Sequence, residues 1–166
     1  MAGKGQPSTK LNNTLLMVAS LLNKAEFKNW FVSYGTLLGI IREGSCIEND
    51  DDVDIIIDKS DRDKIRLLLA ENNLLPLLFD NERIFKTNVT EDYASVDFYF
   101  ADVLDNGTYD DVWNMIKWTN CLPLHEEQWR GTTLLLPNLP ELKLENLYGE
   151  TWRVPAAKKT TPGRTV

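Results

Sequence analysis

The chain has 166 residues, 43% hydrophobic and 26% charged, a composition that supports one globular domain with a sizeable core and excludes disorder as the default. A net charge of −7 and a pI near 4.7, with no basic stripe, argue against a nucleic-acid partner and for a small ligand carried in with a metal. The two cysteines, Cys46 and Cys121, form neither a metal spacing nor a disulfide framework, and no apolar run spans a bilayer, so a cytoplasmic protein with idle thiols is expected.

Residues 1–9 hold Gly, Pro and Ser without periodicity and read as a flexible lead-in to a single domain over 10–155; the tail 156–166, with its Lys, Thr and Pro, reads as mobile. From Lys10 to Lys28 the positions Leu11, Leu15, Val18 and Leu22 repeat at helical spacing, widened by Leu16 and Ala19. Trp30–Tyr34 is aromatic and β-branched, which predicts a short strand. Gly35-Thr36 then permits a tight turn, and Leu37–Ile41 open a helix. A strand running through glycine into a helix presents backbone N–H groups suited to phosphate. The Gly-Lys-Ser/Thr ending of a P-loop is absent, and a plain tight turn accounts for the fragment taken alone.

Asp50, Asp51, Asp52 and Asp54 fall within five positions and run straight into Ile55-Ile56-Ile57. Acids packed so closely repel one another and call for a countercharge. In a strand over Asp52–Asp58, alternation places Asp52, Asp54, Ile56 and Asp58 on one face and Val53, Ile55 and Ile57 on the other. Two carboxylates two residues apart on one face suit a single hard cation. A calcium loop is rejected, because Ile55 stands where glycine is required and Asp61 where glutamate is expected. The blander reading is a solvated acidic turn.

Ser60 and the acids Asp61 and Asp63 mark a helix start, and Ile65, Leu68 and Leu69 carry that helix to Asn72-Asn73. Leu74–Phe79 and Arg83–Asn88 read as strands around a turn at Asp80-Asn81; Arg83 and Lys86 could line a site, although residues so placed are more often solvated edges. Ser95–Phe100 alternates Val96, Phe98 and Phe100 against Asp97 and Tyr99. An acid inside so apolar a strand is costly to bury unless paired or metal-bound, the alternative being an exposed edge. Beside Asp52 and Asp54, Asp97 would complete a cluster of three carboxylates. Asp102–Asp111 reads as a polar loop turning at Asp105-Asn106-Gly107, and Val112–Trp118 as a short helix. His125, the single histidine, reads as structural or solvated in a loop. Trp129–Gly131 and Leu134–Pro137 suggest a hairpin or a strand, and Glu141–Tyr148 a short helix ended by Gly149.

Three blocks in order carry a family resemblance: YGTLLGIIREGSCIENDDDVDIII, VDFYF, and the run from WRG through LLLPN to LYGETWRVP. Together they resemble the LicD/fukutin family of the polymerase-beta-like nucleotidyltransferase superfamily. Asn49 departs from the tryptophan common before the acid run, and the zinc-binding insertion of the animal Golgi members is missing. The resemblance implies an α+β fold, a small mixed β-sheet flanked by helices. It also implies transfer of a phospho-alcohol, such as phosphocholine or ribitol phosphate, from a CDP-activated donor to a sugar hydroxyl of a glycan. On that pattern Asp52 and Asp54 bind Mg2+ or Mn2+, Asp97 binds the second of two ions or acts as base, and Asp50 assists from the loop. Gly35 and Thr36 hold phosphate, and Arg42 neutralises charge on the diphosphate. Two rivals use the same residues: a nucleotidyltransferase moving a nucleoside monophosphate from a triphosphate to a small molecule, and a non-catalytic domain that binds nucleotide or glycan.

Overall fold

The computed structural model describes residues 3–155 and 165–166. Helix α1 (Ser8–Lys24) buries Leu11, Leu15, Val18, Ala19 and Leu22 along one stripe, as its spacing predicts. It ends earlier than Lys28, at a turn whose left-handed residue is Glu26. Strand β1 (Trp30–Val32) is buried throughout, and helix α2 (Tyr34–Glu43) follows after the single residue Ser33. Gly44, left-handed at φ 69°, stops α2 by donating its N–H to Ile40.

Strand β2 (Asp52–Asp58) and strand β5 (Ser95–Val103) form the centre of a seven-stranded mixed sheet. They run parallel and are linked through helix α3 (Arg62–Glu71) and the short strands β3 (Phe79–Asp80) and β4 (Ile84–Lys86). β1 lies antiparallel on the outer side of β2, while β4 and then β3 extend the sheet beyond β5. The fold is α+β, a mixed sheet flanked by helices. In β2 and β5 one face carries Val53, Ile55, Ile57, Val96, Phe98 and Phe100 as apolar core, and the other, with Asp54, Ile56, Asp97 and Tyr99, is buried as well. Burial of side chains this large, each worth about 1.5–3 kcal/mol, fixes the register, since a one-residue slip would exchange the two faces.

The structure corrects several expectations. Residues 3–7 are not a free lead-in but lie along the acidic loop, where Gln6 exchanges backbone hydrogen bonds with Asn49 and Asp50, and the Gly3 N–H donates to Asp51. Most of Leu74–Phe79 is irregular, and only Phe79 and Asp80 pair. The expected loop at Asp102–Asp111 is a hairpin instead: β5 continues to Val103 and pairs with β6 (Tyr109–Asp111) around Gly107. Val112–Trp118 is a turn leading into β7 (Ile116–Trp118), where buried Ile116 and Trp118 flank exposed Lys117, a period of two rather than 3.6. His125 opens β8 (His125–Trp129), which pairs with β9 (Thr132–Leu136) in a separate hairpin lying against α1 and β1. Helix α4 (Pro140–Tyr148) packs on α2. The mobile tail expected at 156–166 falls outside the described residues except Thr165 and Val166. Thr165 bridges to Lys117, and buried Val166 donates its N–H to the Lys117 carbonyl.

The second glycine of the Gly-Thr-Leu-Leu-Gly block has a packing reason. A Cβ on Gly39 would overlap the Ser45 carbonyl oxygen and meet the Cys46 Cα at 3.2 Å. Backbone cannot step aside as a side chain can. Gly39→Ala is therefore expected to destabilise the fold by about 2 kcal/mol, read as a lower urea midpoint with an unchanged m-value. An unshifted midpoint would show that the α2 turn yields freely.

Candidate active site

Strand pairing builds the site. Asp54 of β2 stands opposite Asp97 of β5, Asp97 opposite Lys86 of β4, and Lys86 opposite Phe79 of β3. Directly paired residues share a face, so this row runs across one side of the sheet, with Asp52 two residues from Asp54 on the same side. Asp54 is 6% and Asp97 5% exposed, so the solvated turn and the exposed edge both fail to describe them. Carboxylate oxygens of Asp52, Asp54 and Asp97 all lie within 4.8 Å of one another. A second group, Asp50, Asp51 and Asp52, shares Asp52 with the first.

Hydrogen bonds fix this arrangement. The Tyr99 hydroxyl lies 3.0 Å from both Asp54 Oδ1 and Asp97 Oδ2. Lys86 Nζ donates to Asp52 Oδ2 at 2.8 Å and to Asp97 Oδ1 at 2.9 Å. Thr36 Oγ1 accepts the Asp54 N–H at 2.9 Å and ties the start of α2 to β2. Gly35 approaches the acids so closely that a Cβ there would meet Asp50 Oδ2 at 2.8 Å. Tyr34, just before it, is left-handed at φ 47°, a conformation that costs a bulky residue on the order of 1–3 kcal/mol. It is held there by its hydroxyl bond to buried Asp111, by the Trp118 indole N–H, and by edge-on packing against Tyr99 and Trp118. Ser33, at the cap position of α2, makes no capping bond, and its buried Oγ has no partner among the described residues.

The electrostatics are those of crowded buried anions. Burial, and then Asp52, Asp97 and Asp50, push the Asp54 carboxyl well above the usual carboxylate range. Burial and Asp97 raise Asp52, against the pull of Lys86. Burial pushes Asp50 up to about 6. Burial alone would lower Lys86, but Asp52 and Asp97 outweigh it and keep the ammonium charged. Burial and the nearby acids also raise the Tyr99 and Tyr148 phenols, so Tyr99 stays a donor. One ammonium cannot balance this cluster, and the donor set is hard oxygen. Asp52, Asp54 and Asp97 therefore fit a divalent ion such as Mg2+ or Mn2+.

The structure thus brings together Asp50, Asp52, Asp54, Asp97, Gly35 and Thr36. Arg42 lies apart on the last turn of α2, donating to Glu43 at 2.7 and 2.9 Å and to the Trp152 carbonyl at 3.2 Å. Lys86, one of the two residues of its strand that could line a site, joins the cluster, as do Tyr99, Tyr34 and Tyr148, for which the sequence suggests no such role. Tyr99 was within reach of sequence reasoning, because alternation already put it on the face of Asp97. For Lys86 the sequence leaves edge and site open, because its partners come from other strands.

Residues 28–138 match the family described as LicD/FKTN/FKRP, nucleotidyltransferase domain. The chain belongs to this family. The match takes in both acidic strands, the glycine-threonine turn and Lys86, so the whole carboxylate cluster lies inside the LicD domain. Curated protein sequences give no match. Among solved structures, the LicD domain resembles the lincosamide antibiotic adenylyltransferase LnuA in its lincomycin-bound form, at 13% identity over 79% of this chain and 82% of that one, with a TM-score of 0.57. It also resembles the antibiotic-resistance factor ANT(2'')-Ia, at 13% identity over 78% and 66% of the two chains and a TM-score of 0.59. An antigenic nucleotidyltransferase-like protein from Paracoccidioides brasiliensis aligns at 13% identity over 80% and 62%, with a TM-score of 0.50. At such identities the likeness is one of fold, and that fold is the nucleotidyltransferase fold. Among the described residues, no helix is long and apolar enough to cross a membrane.

Proposed function

We propose that this LicD-family domain is a metal-dependent transferase. It moves a phospho-alcohol, of the phosphocholine or ribitol phosphate type, from a CDP-activated donor to a sugar hydroxyl of a glycan. The observation that carries the reading is the convergence of Asp52, Asp54 and Asp97 within 4.8 Å, beside a strand-glycine-helix turn. Phosphoryl transfer asks mainly for positioning and neutralisation of charge, and this site offers both.

In this reading Asp52 and Asp54 hold Mg2+ or Mn2+, and Asp50 supports them from the loop. When bound, the ion neutralises charge on the donor diphosphate. Gly35 and Thr36, at the uncapped start of α2, face phosphate with backbone N–H and hydroxyl. The acceptor hydroxyl oxygen forms a bond to the phosphorus that carries the alcohol. The bond from that phosphorus to the bridging oxygen breaks, and CMP leaves with the electron pair. Asp97 either takes the hydroxyl proton or would complete the ligand set for a second ion, the proton then passing to solvent. Arg42 reaches the donor's charge only by exchanging Glu43 for it.

Thermal stability against CDP-choline, CDP-ribitol, CDP-glycerol, CTP, ATP and UDP-sugars, with and without Mn2+, tests the reading. A ligand at about 100 times its dissociation constant adds roughly 2.7 kcal/mol. A Mn2+-dependent shift with one CDP-alcohol, followed by CMP release, is expected. Response to triphosphates alone, with pyrophosphate as product, would replace it with nucleoside monophosphate transfer. No response at all would favour a non-catalytic binding domain.

A further inference from the structure

Lys86 stands where the chemistry of the site leads one to expect a different cation. Its Nζ bridges Asp52 Oδ2 and Asp97 Oδ1 at 2.8 and 2.9 Å, and its side chain is 13% exposed. Two of the three carboxylates that suit a divalent ion are thus already joined by an ammonium. Lys86 belongs to β4, beyond β5 from Asp54, so it enters the cluster from the side opposite α2. A divalent ion on the same oxygens would lie within a few ångströms of a like charge inside a buried pocket, where repulsion is poorly screened. The four-carbon stem of lysine gives the ammonium freedom to withdraw, which a guanidinium locked in a fork would lack.

We infer that Lys86 is the built-in counter-cation of the metal site. Its ammonium holds Asp52 and Asp97 together while no ion is bound, and it yields those oxygens when a divalent ion takes them. The inference rests on the reading of these carboxylates as metal ligands. It explains how acids that repel one another stay in place before the ion arrives, and it makes Lys86 a determinant of metal affinity. A lysine that merely knitted β4 to β2 and β5 would keep its bonds whether or not metal were present.

Two measurements test it without assaying transfer. The first is acylation of wild-type protein by acetic anhydride, quantified at Lys86 by mass spectrometry, with exposed Lys24 and Lys28 as internal references. Lys86 should be protected in EDTA and become roughly tenfold more reactive in Mn2+, while the references stay constant. The second is Mn2+ binding by electron paramagnetic resonance of the free ion. Lys86→Met should bind Mn2+ about tenfold more tightly or better, since a close like charge has been removed, and should melt lower than wild type in EDTA. An unchanged Mn2+ dissociation constant in Lys86→Met, or acylation of Lys86 indifferent to Mn2+, would overturn the assignment while leaving the metal site standing. Mn2+ binding by neither wild type nor Lys86→Met would remove the metal reading itself. Should Lys86→Met fail to fold, the acylation of wild type decides alone.

Discussion

Asp54→Asn is expected to lower metal-dependent transfer about a hundredfold or more while leaving the fold at least as stable as wild type in EDTA. The two halves of this result have one cause. Asp54 is 6% exposed, and burial together with Asp52, Asp97 and Asp50 opposes its charge. Each pKa unit by which a carboxyl is raised corresponds to about 1.4 kcal/mol against the charged form. An uncharged isostere removes that opposition and still accepts the Tyr99 hydroxyl through Oδ1. The bond that anchors β2 to Thr36 comes from the Asp54 backbone and is untouched. A gain on the order of 1–3 kcal/mol at neutral pH is therefore expected, seen as a rise of several degrees in Tm. The same change removes an anionic oxygen from the proposed cation site, and losing one preorganised electrostatic contact at a reacting centre costs on the order of a hundredfold to a thousandfold. Stability held at the expense of function is the signature of a functional acid. A variant that lost both activity and Tm would instead mark Asp54 as a structural residue, paired for the sake of the fold.

The parts of the site that sequence made legible are those whose geometry is local. Period two along Asp52–Asp58 and Ser95–Phe100 assigned each acid to a face, and the register Asp54 to Asp97 then brought the faces together. The Gly-Thr-Leu-Leu-Gly block was legible as a turn into a helix. Its two glycines nevertheless serve different ends, one approaching Asp50 and the other the Ser45 carbonyl. What stayed hidden depends on partners far along the chain. Lys86 meets Asp52 across 34 positions, and Tyr34 meets Asp111 across 77. No local pattern marks a lysine at the end of a short strand as half-buried, or a tyrosine as left-handed. Composition is also a poor guide to the start of the domain. Residues 3–7 carry no periodicity, yet the backbone groups of Gly3 and Gln6 find partners in the loop 49–51, and such pairing leaves no trace in side-chain pattern. The stretch from Val112 to Trp118 is ambiguous for a related reason, because two tryptophans and a methionine suit either period over so short a run.

With metal chelated, the protein is expected to become less stable as pH rises from about 4 to about 8, and saturating Mn2+ should abolish that decline. Asp50 is pushed up to about 6 and Asp52 to about 8, and burial raises Asp54 and Asp111 as well. In the unfolded chain these groups titrate near 4. A carboxyl raised in the folded state holds its proton more tightly there than in the unfolded chain. Its contribution to stability is complete below the unfolded pKa and disappears as pH climbs through the folded one. Asp80 acts in the opposite sense, held down by Arg66, but that pair is exposed at the surface and weighs little. The decline should amount to a few kcal/mol in total, on the order of what one or two buried carboxyls supply. Metal reverses the dependence, because a carboxylate must lose its proton to bind an ion and affinity therefore grows with pH. Melting curves from about pH 4.5 to 8.5 should show EDTA and Mn2+ samples nearly coincident at the acid end and furthest apart at the alkaline end. Asp54→Asn should flatten the EDTA curve and close the gap. Parallel curves at every pH would mean that Mn2+ binds away from these carboxylates, and the reading of Asp52, Asp54 and Asp97 as its ligands would have to be given up.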